Sequence, residues 1–538
     1  MTDYKLRYGR RYLELRESRK FIGVRPKPGR ARAMDDAIVA ISARKADLSD
    51  GGLGGFEVVE VTSETEESGQ VLDRLRLDNS VKVGTHVFHT SDDDVPFVPT
   101  GELFVVFRQG ASDDEKRELL GDQRLELVEA RDGNEFIVRV TKAARNPIRV
   151  AHELQRSEAV EIAEPELATL GQLTARPPSA DTLIDEQWHL RNTGRHRGDR
   201  LFFKPGADAR VVDAWQRLGV MGSPDTVVAV IDDGFDLTHP DLRGNERIVH
   251  PYDFTRKNAE PKPGWGDWHG TACARVAIGR PGRGDIAGAA PGATVMPVRW
   301  GRNLADREIE DWFGHVTRNG ADVVSCSWGA AADVFELSTR AYRAIEKCAR
   351  DGRGGKGCVV VFAAGNDNHD INDPPHSVDG FAIHPDVIAV ASCTSRDEKS
   401  NCSNFGVEIW IAAPSSGAGG AGIVTAGVMG HVAENGTHYH RGYAAGDYTY
   451  DFGGTSSACP LVAGICALIL TANPDLTSAE VKDILRDTAR RIGNGAGYDR
   501  DGHSEFFGHG CVDADSAVAR ALELIAPDED EVGYKATA

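Results

Sequence analysis

No run of apolar residues in this 538-residue chain reaches the roughly 18 needed to cross a bilayer, so no membrane span is expected. The opening stretch MTDYKLRYGRRYLELRESRK is charged throughout and has none of the apolar core of a secretory signal. The expectation is a cytoplasmic protein, with export by another route left open. Cysteine is sparse. The nine residues all fall between Cys273 and Cys511, an odd number without the density of a disulfide framework. No CxxC pair suggests zinc, and the thiols are expected to be mostly reduced and buried. Positive charge is also short, with 62 Lys and Arg against 82 Asp and Glu and a net charge of −20. That balance argues against nucleic acid or anionic membrane as a partner and suits a soluble surface.

What the chain does contain is a globular composition, 41% hydrophobic with 59 glycines, and length enough for two to four domains. Residues 1–98 read as an α/β segment of unknown role, with strands at FIGVRP, GFEVVEV and VKVGTHVFHT and a helix through DDAIVAISARKADL. TSETEESG reads as a solvated loop. Residues 99–167 follow the order βαββαβ: GELFVVFRQ, a helix capped by Ser112, RLELVEAR, NEFIVRVT, a helix in NPIRVAHELQR, and AVEIAEP. This is the split βαβ order of a ferredoxin-like domain. Residues 168–180 form a linker in which Gly171, Pro177 and Pro178 interrupt regular structure. From 181 to 525, apolar strands and amphipathic helices alternate, which implies a parallel sheet covered on both faces. An acidic tail, 526–538, ends the chain.

Three motifs in this last region carry chemistry. In VVAVIDDGFDLTHPDL an apolar strand ends at Asp232, Asp233 and Gly234, and the carboxyl ends of parallel strands are where open α/β sheets bind ligands. In WHGTACARVAIG, His269 precedes a helix of small residues. In FGGTSSACPLVAGICALIL, two glycines bring the backbone close and Ser456 stands at the mouth of an apolar helix, where the helix N-terminus favours a developing negative charge. Taken singly, each has a plain structural reading: a turn, a packed histidine, an N-cap.

Taken together, the three blocks resemble the Asp, His and Ser signatures of subtilisin-like serine proteases, in the order known for subtilisin itself. GAAPGATVMPVR, DVVSCSWG, VVVFAAGN, HPDVIAVAS and FGHGCVDADSAV agree with it, from about residue 181 to 522. The resemblance implies a subtilisin-like α/β fold and a serine endopeptidase, with Ser456 as nucleophile, His269 as general base and Asp232 orienting it. Asn366 matches the oxyanion-hole asparagine, and Ser327, Trp328 and Gly329 the segment that pairs with extended substrate. The details lean to the kexin-like branch, where the acid after the catalytic Asp, here Asp233, faces a basic side chain. A preference for basic residues is therefore expected, although Ala330, Ala331 and Ala332 stand where kexins carry Pro and acids, and Asp333 comes one place later.

Asp181 and Asp241 match calcium-binding positions of the family, and carboxylate oxygens suit that ion. The βαββαβ unit resembles an inhibitory prodomain, which implies a zymogen whose own N-terminal domain is its intramolecular partner, with autocleavage in the linker; proteins or peptides would be the substrates. Two other readings stand beside this one. A catalytically silent protein of the same fold, locked by its N-terminal half, would be expected to have lost a triad residue. A thiol enzyme built on Cys326 or Cys459 would need a histidine motif beside the cysteine. The sequence offers neither.

Overall fold

Short, wholly buried strands such as Val359–Ala363 and Val387–Cys393 can be satisfied only with neighbours on both edges and helices on both faces. The computed structural model shows this arrangement. It describes residues 3–525 except 10, 28–29, 42, 47–52, 54, 63–67, 91–95, 132, 142–145, 170, 174–185, 195–202, 240–241, 243–246, 265, 281–285, 429–430, 435–436, 441–447 and 494–496. Seven parallel strands lie in the order Tyr252–Asp253, Thr294–Arg299, Val227–Asp232, Val323–Cys326, Val359–Ala363, Val387–Cys393 and Ile411–Pro414. The chain leaves Val227–Asp232 towards one edge and then returns to build the other side. That strand is the topological switch point, and Asp232 is its last residue.

The period of two along a strand divides the core. Val228 and Val230 face a cluster with the helices His269–Ile278, Thr455–Ala472 and Ala514–Glu523. Ala229 and Ile231 face a second cluster with Asp306–Arg318 and Thr339–Gly355. One expectation is corrected here. Thr455–Ala472 spans 18 residues at a mean hydropathy of 1.8, long and apolar enough to cross a membrane, yet 94% of it is buried inside the protein. It is the central core helix, which is why it is apolar all round.

The fold expected for residues 99–167 is present as strands Val98–Phe107, Leu125–Ala130, Glu135–Val140 and Val160–Ala168 with helices Asp113–Asp122 and Pro147–Leu154. Their sheet runs Leu125–Ala130, Glu135–Val140, Val98–Phe107, Val160–Ala168, antiparallel throughout. Ser112 caps the first helix, accepting from Glu115 N at 3.2 Å. This domain sits on the second core cluster, where Leu103 and Val105 join Ile309, Phe313 and Ile345.

Residues 3–89 differ more from expectation. The charged N-terminus is a strand pair, Asp3–Tyr8 with Arg11–Pro26, because Leu6, Tyr8, Leu13 and Leu15 alternate with its charges and are buried. The helix lies at Ala31–Ala40, Ala43–Lys45 is a strand, and Ser68–Leu77 is a helix where the end of a loop was expected. In the linker, Gly171–Leu173 is a strand rather than a break; Pro177 and Pro178, like the acidic tail 526–538, lie outside the described residues. All nine cysteines are free, Cys402 half-buried and the rest buried.

Two helices approach unusually closely, because a Cβ on Gly464 would lie 2.5 Å from Ala277 O and 2.7 Å from Ala289 Cβ. Gly464→Val is therefore expected to cost about 2 kcal/mol or more through overpacking, read as a lower urea-unfolding midpoint. Gly121→Ala, with nothing within 4 Å of its new methyl, should instead raise stability by up to about 1 kcal/mol through helix propensity. Equal effects from the two would contradict the packing described.

Candidate active site

Three elements converge at the carboxyl end of the switch-point strand. Val227–Asp232 delivers Asp232, His269–Ile278 begins with His269, and Ser456 is the second residue of Thr455–Ala472. His269 Nδ1 lies 2.8 Å from Asp232 Oδ1, which also accepts from Asp233 N at 2.8 Å. Gly270 makes this approach possible, since a Cβ there would meet Gly234 O at 2.6 Å and Asp232 Cβ at 2.8 Å. Ser456 is buried; its Oγ is 3.4 Å from Ser327 O, and its own carbonyl accepts from Ser327 Oγ at 3.1 Å.

Asn366 follows the strand Val359–Ala363 and reaches the same helix mouth. Its Oδ1 accepts from Thr455 N at 2.8 Å and Thr455 Oγ1 at 3.2 Å, and Gly365 N donates to Thr455 Oγ1 at 3.1 Å. The amide is thereby anchored beside Ser456 with its oxygen committed to Thr455. Gly454, at φ +68°, is required there: a Cβ would lie 2.8–3.0 Å from the Asn366 amide.

Asp233, expected at the substrate face, is 1% exposed. It accepts from Gly270 N at 2.8 Å and His269 N at 3.3 Å, so it caps the helix that carries His269. Burial, then the charge of Asp232, pushes the Asp233 carboxyl up to about 7; Arg302 Nη2 stands 3.6 Å from it. For His269, burial works against the charged form, but the charge and hydrogen bond of Asp232 and the charge of Asp233 outweigh it and raise the imidazole above its ordinary value of 6.5. Cys273 Sγ is 3.6 Å from His269 Nδ1, yet burial holds this thiol well above the usual range. Burial does the same for Cys326 and pushes Cys459 up to about 12. Protonated thiols of this kind are poor nucleophiles, which weighs against a thiol enzyme.

Trp328 is core, with its Nε1 donating to Ile231 O at 2.7 Å and its ring against Trp300, Trp312 and Phe381. Its backbone, with Gly329 and Ala330, forms an exposed strand edge that is occupied here: Gly171–Leu173 pairs with it antiparallel, Leu173 opposite Trp328 and Gln172 opposite Gly329. Beside Gly329 opens a cavity of about 180 Å³ whose wall includes Ala330, Ala331, Ala332, Asp333, Asp367 and Asp379. Asp379 Oδ2 is 3.2 Å from where a Gly329 Cβ would stand. Burial pushes the Asp379 carboxyl up to about 6, with the charge of Asp367 adding and the backbone donors of Ala382 and Phe381 opposing. Sequence reasoning missed Asp367 and Asp379; the Asp-Gly pair at Asp379 is shared with five other positions and does not single it out.

The anticipated calcium ligands Asp181 and Asp241 lie outside the described residues. Among the described residues, the group of metal-ligating side chains found is Asp232, His269 and Cys273. That donor set does not fit a hard, oxygen-seeking cation.

The profile of the subtilase family, Peptidase S8, matches residues 223–510. The chain belongs to this family. Among curated proteins, this subtilase is similar to the calcium-dependent protease of Trichormus variabilis, 37% identical over 81% of this chain and 65% of that protein. It is also similar to the calcium-dependent protease of a Nostoc species, 36% identical over 89% of this chain and 72% of that one. The chain thus spans about two thirds of the length of these relatives. Kexin of Saccharomyces cerevisiae is 30% identical over 56% of this chain and 34% of its own length. Among solved structures, fervidolysin from Fervidobacterium pennivorans superposes with a TM-score of 0.55 at 21% identity, covering 80% of this chain and 62% of that one. The serine protease of Aeromonas sobria does so at 0.53 and 22% identity, covering 64% and 68%. These structural likenesses concern the fold alone.

The raised His269 pKa has a measurable consequence. Stabilisation from its charged form is complete below 6.5 and is lost as pH rises through the higher folded value. In Ser456→Ala protein, NMR titration of His269 should give a pKa above 6.5, and adding Asp232→Asn should lower it. A value at or below the ordinary one with Asp232 present would contradict the geometry.

Proposed function

We propose that this subtilase is a serine endopeptidase made as an autoprocessed zymogen and acting on protein or peptide substrates with basic residues before the scissile bond. The observation that carries the chemistry is the 2.8 Å Asp232–His269 hydrogen bond, set at the mouth of the helix that bears Ser456. Ser456 Oγ attacks the scissile carbonyl as His269 takes its proton. Asp232 holds the imidazole in the tautomer with Nδ1 protonated and stabilises the imidazolium. The Asn366 amide and Ser456 N–H receive the oxyanion, the helix N-terminus adding its partial positive charge. His269 then protonates the leaving amine, and water, activated by the same base, hydrolyses the acyl-enzyme.

The acids around the 180 Å³ cavity support the basic preference, because a guanidinium or ammonium would be paired with carboxylates there. Asp333 and Asp379 supply the charge that Ala330, Ala331 and Ala332 do not. Capping of the His269 helix is the role we assign to Asp233. The zymogen reading is supported by Gly171–Leu173, which occupies the Trp328–Ala330 edge as substrate would. Leu173 stands opposite Trp328, and Ser327, the next residue along, has its carbonyl 3.4 Å from Ser456 Oγ. This register supports an autocleavage point beyond Leu173, within 174–180. Calcium is proposed as a structural ion on Asp181 and Asp241, a reading supported by carboxylate chemistry and by relatives named calcium-dependent proteases.

Intact-mass analysis tests the proposal. With calcium present, wild type should split within 174–180, while Ser456→Ala stays whole and loses roughly 10⁶-fold in peptide hydrolysis, the size of the effect known for subtilisin. Asp379→Asn should lower kcat/KM for a P1 Arg substrate by about 10²-fold, as expected on removing one partner of a desolvated charge pair. For wild type, that preference should fade below about pH 6 as Asp379 is protonated. Cleavage only after apolar P1 residues would sink the basic preference. A wild-type chain that neither splits nor hydrolyses peptides would sink the enzyme reading.

A further inference from the structure

The domain of residues 3–89 has a core of its own, in which Ile22, Val24, Met34, Ile38, Val59 and Leu72 meet. Only the second half of its long strand Arg11–Pro26 serves that core. The first half, with Asp3–Tyr8, projects away and buries Leu6, Tyr8, Leu13 and Leu15 in the cluster that contains Leu103 of the prodomain and Phe335 of the peptidase domain. A domain that were merely a neighbour in the chain would not need this hairpin.

The hairpin's tip touches both partners at once. On the prodomain side, Gly9 N donates to Glu164 Oε1 at 2.9 Å, Arg7 N to Gln155 Oε1 at 3.0 Å, and Gln155 Nε2 returns a bond to Arg7 O at 2.7 Å. Glu164 in turn accepts from Thr339 N and Thr339 Oγ1, both at 2.7 Å, at the start of the peptidase helix Thr339–Gly355. On the peptidase side, Gly9 adopts φ +58° and leaves no room for a Cβ, which would lie 2.1 Å from Leu337 O. Arg11 Nε pairs with Glu336 Oε1 at 3.2 Å, and its Nη2 donates to Asn372 Oδ1. Glu336 follows strand Val334–Phe335, and Asn372 begins strand Asn372–Asp373. Between those two strands lies Ser377–Asp379, which carries the Asp379 of the specificity cavity. Arg11 therefore spans the small sheet that forms one wall of that cavity.

We propose that residues 3–89 are an intramolecular clamp, a second inhibitory module that grips the sheet behind the specificity pocket and keeps the prodomain seated after the linker is cut. Activation then takes two events, scission in the linker and departure of the whole N-terminal unit. Cutting the linker alone leaves the Trp328–Ala330 edge covered. The Glu336 side chain is 9% exposed, so loss of Arg11 would leave a largely desolvated carboxylate without this cation, a change that acts on the dissociation rate of an interface.

The clamp has its purpose only under the endopeptidase reading, but its test does not depend on activity. In Ser456→Ala protein, a recognition sequence for an unrelated site-specific protease is inserted within 174–180 and cut from outside. The two pieces should co-elute on size exclusion. Release of the N-terminal piece after dilution should be faster by at least about tenfold in Arg11→Glu and in Gly9→Val. The Arg11→Glu, Glu336→Arg pair should return it towards the starting rate. Glu336→Arg alone, changed on the peptidase side, should also speed release, which covers the case in which a hairpin variant fails to fold. Release at the unaltered rate in Arg11→Glu and Glu336→Arg overturns the clamp. Absence of Ser456-dependent cleavage in wild type would overturn the enzyme reading and leave these rates interpretable.

Discussion

The 2.8 Å contact between Asp232 and His269 is the constraint from which the rest of the site follows. It requires a carboxylate at the end of a fully buried strand to meet an imidazole at the start of a helix, in a place where neither is hydrated. Burial opposes the charged form of the imidazole, and the charge and hydrogen bond of Asp232 outweigh it. Backbone donors hold the neighbouring carboxylates in place, the N–H of Asp233 on Asp232 and those of His269 and Gly270 on Asp233. Placing those donors demands a helix start within van der Waals reach of the strand end, and Gly270 is where that reach is made.

The same device, a carboxylate on a helix N-terminus, joins the domains. Glu164 and Glu166 leave the strand Val160–Ala168 of the βαββαβ domain and accept from Thr339 N at 2.7 Å and Arg307 N at 3.0 Å, at the starts of two helices that follow it in the chain. Burial pushes Asp306, beside them, up to about 8, with Glu166 adding to the effect and Arg340 opposing it. An acidic chain thus spends part of its excess negative charge on helix N-termini, where the macrodipole favours it. The acids around the cavity beside Gly329 instead line an open space.

How much of this was legible in the sequence depended on how local each cause is. The switch-point strand, the Ser112 cap and the βαββαβ order rest on spacing within a few residues, and the structure has them where the pattern put them. The strand pair Asp3–Tyr8 and Arg11–Pro26 was hidden because its charges dominate the composition, while its alternation has meaning only once another domain covers Leu6, Tyr8, Leu13 and Leu15. Gly171–Leu173 looked like a break because a three-residue strand has no period to detect; the partner edge 155 or more residues away decides it. Thr455–Ala472 met the criterion for a membrane span, and only its surroundings make it a core helix.

By itself, then, the sequence determined the family and the subtilisin-like sheet and singled out Asp232, His269, Asn366 and Ser456 as candidates, because these follow from ordered local patterns that few folds share. The tertiary structure alone decided that Asp233 caps a helix instead of facing outward, that Asp367 and Asp379 wall the cavity beside Gly329, and that the N-terminal hairpin reaches Glu336 and Asn372. Each of these is a contact between residues far apart in the chain. An acid's role is set by whether a donor, a cation or open space stands before it, and that is a property of the folded neighbourhood rather than of the residue.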